Sequence, residues 1–329
     1  MGGLTDVTGL LVGHAADLVG LTGCTAVLCP AGAAAAVEVR GGASGLLGLD
    51  LLDPGHIATR VHAAVLAGGS AFGLEACFGV MAHLEARGVG LRTTGGLVPL
   101  VVGAILYDLA VGAPAARPDR AMGARAAAAA SVGPVAEGSV GAGAGASVGK
   151  AFGLGRAMKG GLGTASRRVG AATVGALIAV NAFGDVRDPT TGALLAGARE
   201  APDSPRLADT ARHIREGRVT PGFHQTHTTI GVVGTDATLD GAEARRVAAL
   251  GHLGLGAALS PPHLSVDGDA LFALATGSVA RAETPSADAL GLAAAECVAE
   301  AVVRAIRTAT ALGGLPAWRD LFAGPAGGA

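Results

Sequence analysis

Large side chains are scarce in this sequence: aromatic residues make up only 3% of it, whereas glycine occurs 55 times. The apolar half of the chain must therefore build its core from Ala, Val, Leu and Gly, with backbones packed close together. Lysine is scarcer still, since only Lys150 and Lys159 among the 24 basic residues are not arginine. No excess of either charge exists: the formal net charge is −2, which excludes the electrostatic footprint of a nucleic-acid or anionic-membrane binder. The four cysteines (Cys24, Cys29, Cys77, Cys297) form neither a CxxC pair nor a dense framework. They predict small buried thiols in a reducing compartment. A membrane span is missing too. The uncharged apolar run between Arg168 and Asp185 falls short of the roughly 20 residues a bilayer requires and contains Asn181. The first ten residues, MGGLTDVTGL, lack a basic stretch and carry Asp6, so they do not read as a secretory signal. A soluble cytoplasmic protein, with residues 1–329 as a single domain, is the expectation.

The pattern along the chain alternates between strands and helices. Residues 25–30 and 36–40 read as two short strands joined by a Gly/Ala turn. From Ile57 to Ala86 the pattern reads as helical, with Leu74, Phe78, Met81 and Leu84 at three- and four-residue spacing and a break at Gly68-Gly69-Ser70. A strand-like run at 97–109 brings Tyr107 near its end, and a second one at 172–186 contains Asn181. Residues 197–226 are polar and read as an exposed linker. Helices are predicted over 241–259 and 287–310, flanking a strand at 271–277. Strands in both halves separated by long helices favour a layered α/β sandwich.

Several motifs tempt and fail. GAGAGASVGK (141–150) lacks the P-loop glycine at Ala144 and the Ser/Thr at Ala151. Its GxGxxA form has no acidic residue before Asp185 to hold a ribose, so no nucleotide cofactor is predicted. GASVG spells a nucleophile elbow around Ser147, but no buried strand precedes it. His224, His227 and His263 are not set in a tight zinc pattern, so no metal is predicted either.

Three features point to chemistry. An arginine-rich chain that keeps two lysines within ten residues has a use for an amine, because Lys can shift its pKa and Arg cannot. Asp267 and Asp269 flank Gly268 ahead of an apolar strand; residues two apart on extended backbone point the same way, and paired carboxyls raise one pKa. Finally, His227-Thr228-Thr229 leads straight into the apolar strand Ile230-Gly231-Val232-Val233.

Together, VGAGAGASVGK, GGLGTASRR, VNAFGDV, TTIGVVGTDATL and DGDALF occur in an order that resembles the self-processing hydrolases. These include β-peptidyl aminopeptidases, L-aminopeptidase/D-alanine-esterases and nylon-oligomer (6-aminohexanoate oligomer) hydrolases, and the resemblance spans nearly the whole chain. It implies a four-layer αββα sandwich similar to N-terminal-nucleophile hydrolases, and a tetramer of αβ units. It also implies a cut just before Thr228, giving an α chain 1–227 and a β chain 228–329. Lys150, Asn181, Tyr107, Asp267 and Asp269 are then the implied active-site neighbours of Thr228. One departure stands out: His227 precedes the cut where the family usually carries Asn, Gly or Asp.

The chemistry of such a site follows from its groups. A threonine hydroxyl needs a base. Once cleavage frees it, the α-amine of Thr228 has a pKa of roughly 7.7 to 8 and can serve as that base. Asn181 and the Tyr107 hydroxyl are expected to donate to the oxyanion, Lys150 to keep the amine neutral, and Asp267 and Asp269 to orient Thr228 or hold a substrate ammonium. The Asp-Gly-Asp form looks like the nylon-oligomer branch, so the expected substrate is a small linear amide or oligoamide. A β- or D-amino-acid aminopeptidase or esterase, or an acyl transferase, is the alternative.

Overall fold

The computed structural model describes residues 2–53, 55–58, 60–222 and 227–323. Among them, hydrogen bonding links nine strands. They are β1 (Leu11–Asp17), β2 (Thr22–Gly41), β3 (Leu46–Leu47), β4 (Arg60–Ala67), β5 (Val101–Ile105), β6 (Gly161–Val169), β7 (Ala172–Val180), β8 (Ile230–Thr235) and β9 (Gly268–Ala275). Their order is β6-β7-β8-β9-β2-β4-β5-β3, with β1 on the first half of β2. The β8–β9 and β4–β5 pairs are parallel and the others antiparallel.

Strand β2 turns this ribbon into a sandwich. Its first half pairs with β1 and β4, its second with β9. Between them the register against β4 shifts from Leu28 to Ala33, Pro30 and Ala31 are exposed, and Gly32 adopts φ +77°. Proline has no N–H to offer a ladder, so the bend falls where pairing is already interrupted. The two short strands expected at 25–30 and 36–40 are thus parts of one long strand, and the Gly/Ala turn is its bend.

Side chains then alternate between two environments. Val27, Leu66, Leu177, Ile230, Val232 and Phe272 meet in the layer between the sheets. Cys24, Ala26, Leu28, Ala63 and Val65 face the opposite way, against helices α1 (Glu75–Ala86) and α2 (Arg120–Ala128). Val174, Ala176, Ile178 and Val180 pack on α3 (Gly241–Ala258) and α4 (Ala287–Thr308). The layering is αββα, as the resemblance implies. Asp240 and Glu243 close a capping box at the start of α3, and Ser286 caps α4. None of the described helices is long and apolar enough to cross a membrane.

Two expectations need correction. Residues 60–67 form β4 rather than the first half of a helix; buried on both faces, the strand shows no alternation that would separate it from the apolar helix after it. The segment 197–222 is not a loose linker either. The Asp185 carboxylate accepts from the Ala198 and Thr210 N–H groups and the Thr210 hydroxyl, which ties that segment to the stretch that follows β7. Residues 223–226, including His224, lie outside the described residues.

Candidate active site

The parallel pairing of β8 with β9 sets the site. It continues one step beyond the strands, as a bridge between His227 and Asp267, so that residues 227–229 lie beside 267–269. Asn181 follows the last residue of the neighbouring β7. The glycine-rich segment ending in Lys150 runs alongside, with Gly149 N–H on the Gly184 carbonyl at 2.9 Å and Lys150 N–H on the Phe183 carbonyl at 3.0 Å. Gly149 has φ +71°, and a Cβ there would lie 1.9 Å from the Ala198 nitrogen. No other residue fits.

Thr228 is buried, and its hydroxyl donates to the carbonyl of His227 at 2.6 Å. That carbonyl also accepts from Gly268 N–H at 3.0 Å. The bond expected to break is therefore polarised by a main-chain donor while the hydroxyl rests against it. Gly268 is constrained as well, since a Cβ would lie 2.4 Å from the Ala43 carbonyl oxygen.

Asn181 is the hub of the cluster. Its main-chain carbonyl accepts from Thr228 N–H at 3.2 Å and from Lys150 Nζ at 3.0 Å. Its Oδ1 accepts from Lys150 Nζ at 2.7 Å and from Ser147 N–H at 3.0 Å, and its Nδ2 donates to the Tyr107 carbonyl at 3.1 Å. Asn181 and Lys150 are both buried, so Lys150 is not a surface charge. Burial lowers the Lys150 ammonium to about 7, against the opposing pull of Asp267 and Asp108. In its neutral form, two N–H bonds to Asn181 leave a lone pair available.

The carboxyls divide their roles. Asp269 accepts from Thr229 N–H at 2.8 Å through one oxygen; its other oxygen meets the His263 main-chain N–H at 3.2 Å and ring Nδ1 at 2.8 Å. It fixes the backbone one residue past Thr228. Asp267 accepts from Leu264 N–H at 2.9 Å through Oδ2, while Oδ1 is buried without a partner among the described residues. Burial, then the nearby Asp269, raise the Asp267 carboxyl well above the usual range.

Thr228, Lys150, Asn181, Asp267 and Asp269 thus meet in one buried cluster. Tyr107 joins it through its carbonyl, and its hydroxyl makes no hydrogen bond among the described residues. Sequence reasoning missed three participants: the Gly268 N–H, the Phe183 ring beside His227, and His263 behind Asp269. The second lysine has a different task. Lys159 is fully buried and donates to the carbonyls of Gly143, Ala146 and Gly160 at 2.8, 2.8 and 3.2 Å. Asp108, held by Gly69 N–H at 2.7 Å and the Thr22 hydroxyl at 2.8 Å, is a buried carboxylate near both lysines.

Comparison with known proteins gives a consistent result. The sequence profile described as Peptidase family S58 matches residues 3–317. An uncharacterised aminopeptidase of Mycobacterium tuberculosis (strain H37Rv) is 42% identical, over 99% of this chain and all of the relative. A 6-aminohexanoate-oligomer endohydrolase of Paenarthrobacter ureafaciens is 34% identical, over 91% of this chain and 84% of its own. Among solved structures, a Burkholderia sp. β-aminopeptidase superposes with a TM-score of 0.66 at 25% identity, covering 99% of this chain and 95% of that one. The L-aminopeptidase D-Ala-esterase/amidase of Ochrobactrum anthropi, described as a variant of the Ntn-hydrolase fold, gives 0.69 at 23% identity, covering 93% and 86%.

Proposed function

Since the chain belongs to peptidase family S58 and is an amide hydrolase of Ntn fold, we propose that it cuts itself between His227 and Thr228 and then works through an acyl ester on Thr228. The observation that carries this reading is the Thr228 hydroxyl against the His227 carbonyl, with Gly268 N–H on the same oxygen. In the cut, Thr228 Oγ1 adds to the His227 carbonyl carbon as a base removes its proton. The Thr228 nitrogen leaves as the amine, and water hydrolyses the resulting ester to the His227 carboxylate and the hydroxyl. No α-amine exists before this step, so neutral Lys150 is the base available to it, its ammonium lying at about 7.

In the mature enzyme the freed amine of Thr228 takes the hydroxyl proton and passes it to the departing amine of the substrate. Lys150 shares the Asn181 carbonyl with the Thr228 nitrogen, and its charge favours the neutral amine. The second N–H of Asn181 Nδ2 is uncommitted among the described residues and donates to the oxyanion. The substrate we propose is an unhindered linear amide such as a 6-aminohexanoate oligomer, following the likeness of Asp267-Gly268-Asp269 to that branch. Aminopeptidase action is the second reading, favoured by Asp267 Oδ1, which has no partner among the described residues and which a substrate ammonium would hold in its ionised, accepting form. A cytoplasmic tetramer of αβ units belongs to the same proposal.

Intact mass spectrometry under denaturing conditions tests the reading. Wild type should give two chains meeting at His227/Thr228, and Thr228→Ala one uncut, inactive chain. Processing in that variant would remove Thr228 from the role of nucleophile.

A further inference from the structure

The residue before the cut is itself an acyl group presented to Thr228. Its carbonyl is seated by the Gly268 N–H at 3.0 Å, and its ring is directed into the protein, only 2% of the residue being exposed. The ring packs on Phe183, centroid to centroid 4.9 Å at a tilt of 56°. Neither ring nitrogen has a hydrogen-bond partner among the described residues. The seat therefore offers a shape and an aromatic wall but no polar partner, and an imidazole placed there leaves buried hydrogen-bonding groups unpaired.

We propose that the space occupied by the His227 side chain becomes the acyl-side-chain pocket of the mature enzyme, and that it takes a neutral aliphatic or ring-bearing acyl group rather than a charged one. This rests on the self-cleavage proposed above. The same oxygen attacks both carbonyls. If both carbonyls accept from Gly268 N–H, the substituent of the second is steered where that of the first lay. An amine and a carboxyl, both driven by burial towards their neutral forms, border the seat. Lys150 lies close enough to disfavour a cation on the His227 ring, and Asp267 pairs with His227 along the backbone. Since burial already works against charge on both of these groups, a further ammonium or carboxylate placed on the acyl side chain meets the same penalty, with no polar partner at the ring to offset it. For oligoamides, the pocket favours an internal residue, whose distal amine is acylated and neutral, over a free amino end. The self-cut is already of that internal kind.

The test has two parts. In the first, His227→Phe, His227→Leu, His227→Lys and His227→Glu precursors are followed by intact mass over time. Phe and Leu should be cut at near the wild-type rate, Lys and Glu about tenfold or more slowly. In the second, mature wild type is given hexanoyl 4-nitroanilide and 6-aminohexanoyl 4-nitroanilide, which differ only in a terminal amine. The neutral compound should have a kcat/KM about tenfold higher, and Phe183→Ala should reduce that preference mainly through KM. Two chains in wild type with all four variants cut alike, or with the amine-bearing compound preferred, would overturn the pocket and leave the nucleophile standing. A wild-type chain that never cuts and never hydrolyses would overturn both.

Discussion

The two lysines of the glycine-rich segment make an instructive pair. Both are buried, and burial pushes both ammonium groups down to about 7. Lys159 spends its N–H bonds on three main-chain carbonyls within residues 143–160, so it fastens that segment to itself. Among the described residues Lys150 Nζ gives its bonds to Asn181 alone, whose carbonyl also holds the Thr228 nitrogen. The same residue type, at the same depth, with the same shift, is a rivet at one end of the segment and sits beside the proposed nucleophile at the other. A shifted pKa therefore does not identify a catalytic group; its partners do.

The sharpest way to break the comparison is to remove each amine. Lys150→Met should slow self-cutting and turnover about a thousandfold, on the order of 4 kcal/mol in the barrier. Lys150→Arg should cut itself no faster, because a guanidinium stays charged and cannot serve as the base for that step. In wild type the cut should speed up as pH rises through about 7, where Lys150 loses its proton, and level off above; time-resolved mass spectra from pH 5.5 to 9 read this directly. A flat profile would remove Lys150 as the base.

Lys159→Met should do the reverse, still cutting while losing about 3 kcal/mol of stability as buried carbonyls lose their donor. Its titration gives a second signature. The folded-state pKa lies at about 7 against the ordinary lysine value of 10.5, so between those limits the unfolded chain binds a proton the folded one does not. The contribution of Lys159 to stability thus grows as pH rises across that window and is lost as pH falls towards 7. Denaturant melts at pH 7 and 9 should show this gain in wild type relative to Lys159→Met. An equal change in both would mean that another group carries it.

Asn181 comes next in size. Asn181→Ala should lower kcat about a hundredfold with little change in KM, the signature of a donor that acts on the oxyanion. A rise in KM at unchanged kcat would make it a binding group instead.

How much of this was legible follows the reach of each signal. The spacing of Leu74, Phe78, Met81 and Leu84 predicts α1, although the face the helix buries runs through Ala76, Cys77, Val80 and Leu84 and leaves Phe78 exposed. Strand β4 and the bend in β2 are hidden, because burial on both faces erases alternation and Gly32 marks a bend as readily as a turn. The lysine bias correctly selects amines removed from solvent, yet nothing local separates Lys150 from Lys159, whose partners come from different parts of the fold. The carboxyl pair is legible as a pair. That Asp269 holds Thr229 and His263 while Asp267 Oδ1 has no hydrogen-bond partner among the described residues depends on the parallel register of β8 and β9. Main-chain contributors such as the Gly268 N–H leave no trace in residue identity beyond the glycine itself.

Tyr107 gives the smallest and most discriminating effect. Sequence reasoning assigns it an oxyanion role through its hydroxyl, whereas the structure brings its carbonyl to Asn181 Nδ2 at 3.1 Å. A main-chain contact survives any side-chain change that keeps the backbone in place, so Tyr107→Phe should leave kcat within about twofold of wild type. If the hydroxyl instead reaches the oxyanion once the cut has freed the site, the same variant should lose about a hundredfold in kcat at unchanged KM. Steady-state kinetics on the mature protein separate the two. The first outcome leaves Asn181 Nδ2 and the Gly268 N–H as the donors, with Tyr107 serving to orient Asn181. The second makes the oxyanion site incomplete in the uncut chain, assembled only after the bond before Thr228 is broken.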